Sequence, residues 1–158
     1  MNELKKTNAM RILEKNKIKY SILKYKVDEN NLDAIHIATN SKLSLELVYK
    51  TIVLINEKNE IFIFCLPAEF NVSLKKAKSI TNSKKISLLE LKNLKKTTGY
   101  IRGGCSPIGM IKEYPTYISE FAQIEDYIYI SGGQRGLQLK INPFDLSKCI
   151  NAKFRDFI

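Results

Sequence analysis

Apolar and polar positions alternate along this chain in short, clearly separated stretches. Thr7 followed by Met10, Ile12 and Leu13 predicts a capped first helix running to about Asn16. Over residues 19–27 the alternation slips phase. Tyr20 and Ile22 share one face and Leu23, Tyr25 and Val27 the other, which predicts a strand with a bulge near Leu23. The spacing of Leu32, Ile35 and Ala38 or Thr39 predicts a helix over 32–40, and Ser44 opens a further turn leading to Val48. Residues 49–55 and 60–66 are β-rich runs joined by Asn56-Glu57-Lys58-Asn59, a four-residue hairpin loop.

Beyond Pro67, Asn71 or Ser73 starts a basic helix through Ser79, with Val72, Leu74 and Ala77 as candidate inward positions. A short strand over 84–87, a helix over 88–95 and a strand over 99–101 follow. Residues 116–119, 127–131 and 137–141 read as strands. Asn142-Pro143 is an N-cap followed by proline at the first helical position, opening a helix over 144–150. The tail, 153–158, is a candidate edge segment. About seven short strands, several helices and no internal repeat predict one α+β domain over residues 1–158 with a mixed, curled sheet.

Glycine changes this picture most. Four of the 7 glycines, Gly99, Gly103, Gly104 and Gly109, fall within residues 98–109. Glycine reaches positive φ and lets a ligand approach the backbone, and Pro107 stiffens the exit, so Gly103-Gly104-Cys105-Ser106-Pro107 is either an ordinary tight turn or a rigid loop that aims N–H groups at one oxygen. A second glycine turn, Gly132-Gly133-Gln134-Arg135-Gly136, reads as the connection of a hairpin. Lys50 opens an apolar strand. A lysine there is either solvated or, facing a pocket, able to hold a phosphate or a carbonyl.

The chain has 158 residues, 44% of them hydrophobic, enough for a single core, and 26 Lys and Arg against 16 Asp and Glu leave a formal charge of +10. That excess points to a polyanionic partner, unless it is spread over solvated faces; clusters at 75–78, 84–85 and 92–96 favour a patch. No run is long and apolar enough to span a bilayer, and Met1-Asn2-Glu3-Leu4-Lys5-Lys6 lacks the apolar segment of a secretory signal, so a cytoplasmic protein without membrane attachment is expected. Cys65, Cys105 and Cys149 form no Cys-x-x-Cys pair. With His36 the only histidine, neither a disulfide framework, a metal site nor a cofactor is expected. His36 lies on the second predicted helix with no Asp or Glu clearly positioning it. A nucleophilic role for Cys105 would need a base or a positive field to make the thiolate.

Three stretches in order carry a resemblance: Tyr49-Lys50-Thr51, then Thr98 to Gly109 with its Arg102-Gly103-Gly104-Cys105-Ser106-Pro107 core, then Tyr129-Ile130-Ser131-Gly132-Gly133-Gln134-Arg135-Gly136-Leu137. They resemble the YbaK family, which is related to the editing domain of bacterial prolyl-tRNA synthetase and is best known for hydrolysing cysteinyl-tRNA for proline. The match runs from about Thr7 to Phe157.

The resemblance implies a six- or seven-stranded mixed barrel-like sheet flanked by helices. It implies a catalytic pocket built on Lys50 and Gly103, a substrate cleft shaped by Tyr25, Gly104, Cys105, Ser106 and Pro107, and the acceptor end of an aminoacyl-tRNA as substrate, with prolyl-tRNA synthetase as partner. Arg102 and Arg135 are candidate RNA contacts, with structural pairing as the alternative. The family mechanism is substrate-assisted, the cysteinyl thiol attacking its own carbonyl, so neither metal nor protein nucleophile is implied. Family members carry an apolar residue where this chain has Cys105. One departure concerns selectivity: an aspartate that meets the substrate ammonium in the best-known member is replaced here by Gln138. A neutral amide cannot form the same charge-assisted bond. The expected activity is therefore cysteinyl-tRNA(Pro) deacylation. Its alternatives are a related deacylase for alanyl or another small mischarged group, a noncatalytic tRNA- or synthetase-binding module, and a hydrolase using Cys105.

Overall fold

The computed structural model describes residues 5–158; Met1 to Leu4, on which part of the leader argument rests, lie outside the described residues. Five α-helices and eight strands follow in the order α1 (Asn8–Lys15), β1 (Tyr20–Lys24), α2 (Ala34–Asn40), β2 (Tyr49–Asn56), β3 (Ile61–Pro67), α3 (Leu74–Thr81), β4 (Ile86–Leu88), α4 (Leu94–Thr98), β5 (Thr116–Ser119), β6 (Ile128–Ser131), β7 (Leu137–Ile141), α5 (Pro143–Ile150) and β8 (Lys153–Arg155). No described helix is long and apolar enough to cross a membrane.

The strands form two sheets rather than one closed barrel. A three-stranded antiparallel sheet has the order β1-β7-β6, and a five-stranded mixed sheet the order β4-β2-β3-β5-β8. They meet at an isolated parallel bridge between Val48 and Tyr129. The α+β class holds. The barrel-like expectation gives way to an open seam, and the tail supplies β8 beside β5, the edge segment expected there, so that the described strands number eight without one at 99–101.

The principal core lies between the sheets. Met10 and Leu13 of α1, Ile63 and Cys65 of β3, Ile128 and Ile130 of β6, Leu137 and Leu139 of β7 and Leu146 of α5 pack there. The other face of the larger sheet buries Leu54, Phe62, Phe64 and Leu66 beneath α3 and Phe157. Phe64 packs edge-on to Phe157 with ring centroids 4.9 Å apart. Because β3 is covered on both faces it reads as a continuous apolar run instead of alternating.

Several local rules act as expected. Thr7 Oγ1 accepts the Met10 N–H, Ser73 caps α3, and Asn142 caps α5 ahead of Pro143. Asn56 fixes the β2–β3 hairpin, accepting the N–H groups of Lys58 and Glu60 and donating to the Glu60 carboxylate and the Ser83 hydroxyl.

Three local expectations are corrected. β1 carries no bulge near Leu23, since its register with β7 is continuous from Tyr20 opposite Ile141 to Lys24 opposite Leu137. The phase slip reflects unequal burial at a sheet edge: Ile22 remains 42% exposed, so its apolarity marks no face. The helix expected over 88–95 begins later, as a 3-10 turn at Leu91–Asn93 leading into α4, because Leu88 still pairs with Leu54 in the sheet. Residues 99–101 form no strand. Gly99 ends α4 at φ +88, and the Tyr100 N–H turns back to Thr98 Oγ1.

Candidate functional site

The glycine-rich loop is closed by tyrosine. Tyr100 is buried, and its hydroxyl donates to the Ile108 carbonyl, joining the two ends of the excursion. Within it, Gly104 N–H donates to the Ile101 carbonyl at 3.0 Å, a tight turn with Gly103 at φ +86. Ser106 is fully buried and its Oγ accepts the Ile108 N–H at 3.2 Å. That bond finishes the turn from within. Among the described residues, the N–H groups of Gly103 and Cys105 donate to no protein acceptor.

A second loop braces the first. The Arg135 Nε donates to the Arg102 carbonyl at 2.9 Å, and a Cβ built on Gly104 would stand 3.0 Å from backbone atoms of Gln134 and Arg135. Thr7 adds a third point of support, since its hydroxyl donates to the Gly132 carbonyl at 2.6 Å while it caps α1.

Between this loop, α2 and the start of β2 lies a cavity of about 350 Å3. Lys50, Arg102, Gly103 and Cys105 all line it, with Asp33, Thr51, Ser131 and Gln138. Lys50 is half-buried, and its Nζ donates to the Ala68 carbonyl at 3.1 Å, which fixes the ammonium at the cavity wall. Burial pulls its pKa below the usual lysine value, and the charge of Asp33 partly restores it.

Gln138 sits in β7 opposite Leu23 of β1 and Ser131 of β6, on the face away from Leu137 and Leu139 of the core. It is 3% exposed and its Oε1 has no hydrogen-bond partner among the described residues. Tyr25 does not line the cavity but adjoins it: burial raises its phenol, and the Gly136 amide, the Gln138 side chain and the Arg135 charge temper that rise. Tyr25 reaches this place at the end of a regular strand, its N–H donating to the Gly136 carbonyl, so no bulge is needed to direct it.

The cavity thus brings together Lys50, Arg102, Gly103 and Cys105. Gly104 is buried against the neighbouring loop, and Ser106 and Pro107 face away from the cavity, Pro107 lining a separate depression beside Gly109. Arg135 braces Arg102, leaving Arg102 as the exposed cation at the rim.

Cys105 borders the cavity, yet burial pushes its thiol up to about 11, and Cys65 beneath it reaches about 12. Neither is a thiolate near neutrality. His36 is exposed on α2 and, against expectation, is positioned by a local acid: its Nδ1 lies 2.5 Å from Asp33 Oδ1. Asp33 is the N-cap of α2, so its carboxylate folds back over the first helical turn and meets residue 36. That capping signal was present in the sequence three positions before the histidine.

A family model for the aminoacyl-tRNA editing domain matches residues 29–149, most of the chain and all of the cavity. The chain belongs to the aminoacyl-tRNA editing domain family. Within that family it is 38% identical over 151 residues to EbsC of Enterococcus faecalis, named as a candidate Cys-tRNA(Pro)/Cys-tRNA(Cys) deacylase, with 96% of this chain and 92% of that protein aligned. The editing-domain fold also appears in solved structures. The crystal structure of the hypothetical protein APE2540 superposes with a TM-score of 0.86 at 14% identity, covering 96% of this chain and 99% of that one. A candidate trans-editing enzyme for prolyl-tRNA synthetase gives a TM-score of 0.79 at 18% identity, covering 95% and 94%.

Proposed function

We propose that this editing domain acts in trans as an aminoacyl-tRNA deacylase, removing cysteine from mischarged tRNA for proline. The observation that supports this best is the pairing of a half-buried Lys50 ammonium with two acceptor-free N–H groups, Gly103 and Cys105, on one cavity. An ester carbonyl placed between them gains its stabilisation as negative charge develops on oxygen. The name of the Enterococcus relative and the prolyl-tRNA synthetase context of a structural neighbour support the choice of substrate.

The protein supplies orientation and charge. The cysteinyl sulfur attacks its own carbonyl carbon, forming the S–C bond; the ester C–O bond then breaks, the ribose oxygen takes up the proton lost by the thiol, and a cyclic thiolactone leaves. Gly103 and Cys105 N–H groups hold the carbonyl oxygen. Lys50 neutralises the charge that grows there, or the neighbouring phosphate. Arg102 at the rim, with exposed Lys95 and Lys96 on α4 next to the cavity residue Leu94, receives the acceptor-stem phosphates. Prolyl-tRNA synthetase is the proposed source of tRNA selection.

Purified protein incubated with labelled cysteinyl-, alanyl- and prolyl-tRNA(Pro), with and without the synthetase, tests the reading. Selective loss of the cysteinyl label with thiolactone formation, absent in Lys50→Ala, is the expected result. Loss of alanyl label alone would move the protein to a water-using activity. No release above that of Lys50→Ala would leave a tRNA- or synthetase-binding module.

A further inference from the structure

An aminoacyl ester brings a positive charge of its own. Its α-ammonium lies one carbon from the carbonyl, in a cavity that already holds Lys50 and has Arg102 at its rim. Two cations beside an incoming third oppose binding unless an anion faces the amine. Among the described residues lining the cavity, the one carboxylate is that of Asp33.

Asp33 is suited to this. Its Oδ2 accepts the His36 N–H at 3.4 Å and its Oδ1 meets His36 Nδ1 at 2.5 Å, so the group is held in one orientation. These two bonds leave lone pairs on both oxygens free. In the lining of the same cavity, Gln138 Oε1 is a buried acceptor with no donor among the described residues, and a ligand N–H would satisfy it.

We infer that Asp33 holds the α-ammonium of the aminoacyl ester and so restricts the cavity to acyl groups bearing a free α-amine, with Gln138 as a second, neutral acceptor. His36 is a positioning residue for Asp33. The residue that caps α2 is also the one that reads the acyl group's charge.

The inference rests on the deacylase reading, and its test separates the two. Cysteinyl-tRNA(Pro) is compared with 3-mercaptopropionyl-tRNA(Pro), which keeps the thiol and the ester but lacks the amine. Wild-type protein is expected to favour the cysteinyl ester roughly ten- to a hundredfold in kcat/KM, the range of one hydrogen bond to a charged group. Asp33→Asn keeps a side chain that caps a helix as well as aspartate does. It should reduce the preference to within about threefold, because kcat/KM falls much more for the cysteinyl ester than for the mercaptopropionyl ester. Wild-type activity without discrimination between the esters, or full discrimination in Asp33→Asn, overturns the role of Asp33 and leaves the deacylase reading intact. Failure of the wild-type protein to release either acyl group overturns both.

Discussion

Gly104 lies so close to Arg135 that a Cβ at position 104 would stand 3.0 Å from the Arg135 backbone nitrogen. The same residue's side chain reaches back to the Arg102 carbonyl, so the two glycine-rich loops form one braced unit at the cavity edge. Gly103 differs. A Cβ there would meet Leu32 Cδ2 at 3.2 Å, the end of a flexible side chain, but its φ of +86 strains any other residue. Gly104→Ala must separate two backbones, whereas Gly103→Ala bears a strain of about 1–2 kcal/mol. Both should lower deacylation, Gly104→Ala with the larger fall in thermal stability, as melting curves recorded beside single-turnover rates would show.

Lys50→Ala is expected to lower the deacylation rate by roughly a hundredfold or more, the usual cost of removing one group that stabilises an oxyanion. Binding of uncharged tRNA should remain and keep most of its salt dependence, because one cationic contact among several is lost. Equal losses in rate and in binding would place Lys50 in RNA recognition alone.

The pH dependence of the reaction turns on Lys50. Burial lowers the Lys50 pKa from its ordinary 10.5, so a reaction that needs the ammonium should decline with rising pH earlier than an exposed lysine would dictate. The charge of Asp33 opposes that shift, and Asp33→Asn should move the alkaline limb to still lower pH. For folding the sign is reversed: the unfolded lysine binds its proton more tightly, so this group's unfavourable contribution fades as pH rises through the folded pKa towards 10.5. Rates on cysteinyl-tRNA between about pH 6 and 10 check the first expectation.

Cys105→Ala should retain deacylation to within a few-fold. With its thiol pushed up to about 11, Cys105 is almost wholly protonated at pH 7 and, though only half-buried, should react slowly with iodoacetamide. Activity abolished in Cys105→Ala would point to a protein nucleophile.

Thr7→Ala removes both the cap of α1 and the 2.6 Å bond to the Gly132 carbonyl. A loss of about 1–2 kcal/mol in unfolding free energy is expected from the cap. Denaturant titration measures it.

Much of the fold was legible in the sequence because its signals are local. Thr7, Ser73 and Asn142 announce three helices, and the β2–β3 hairpin follows from two apolar runs around Asn56. What escaped was set by distant partners. Ile22 looks like a core residue until its place on an edge strand is known, and residues 99–101 look like a strand until Tyr100 is seen closing the loop on Ile108. The site divides in the same way. Lys50 and Gly103 are named through motif order, whereas Asp33 falls inside the helix expected over 32–40 and carries no functional signal there, and Gln138 stands out only as a substitution. Only the meeting of α2, β2 and β7 around one cavity puts them together.

The single bridge from Val48 to Tyr129 has an evolutionary meaning. Lys50 and Thr51 stand on one sheet, Ser131 and Gln138 on the other, and little backbone pairing ties the two walls. If the proposed deacylase roles hold, substitutions on the Gln138 wall can retune which acyl group is accepted without disturbing the register that holds the lysine, so one scaffold can diverge in diet while its chemistry stays fixed.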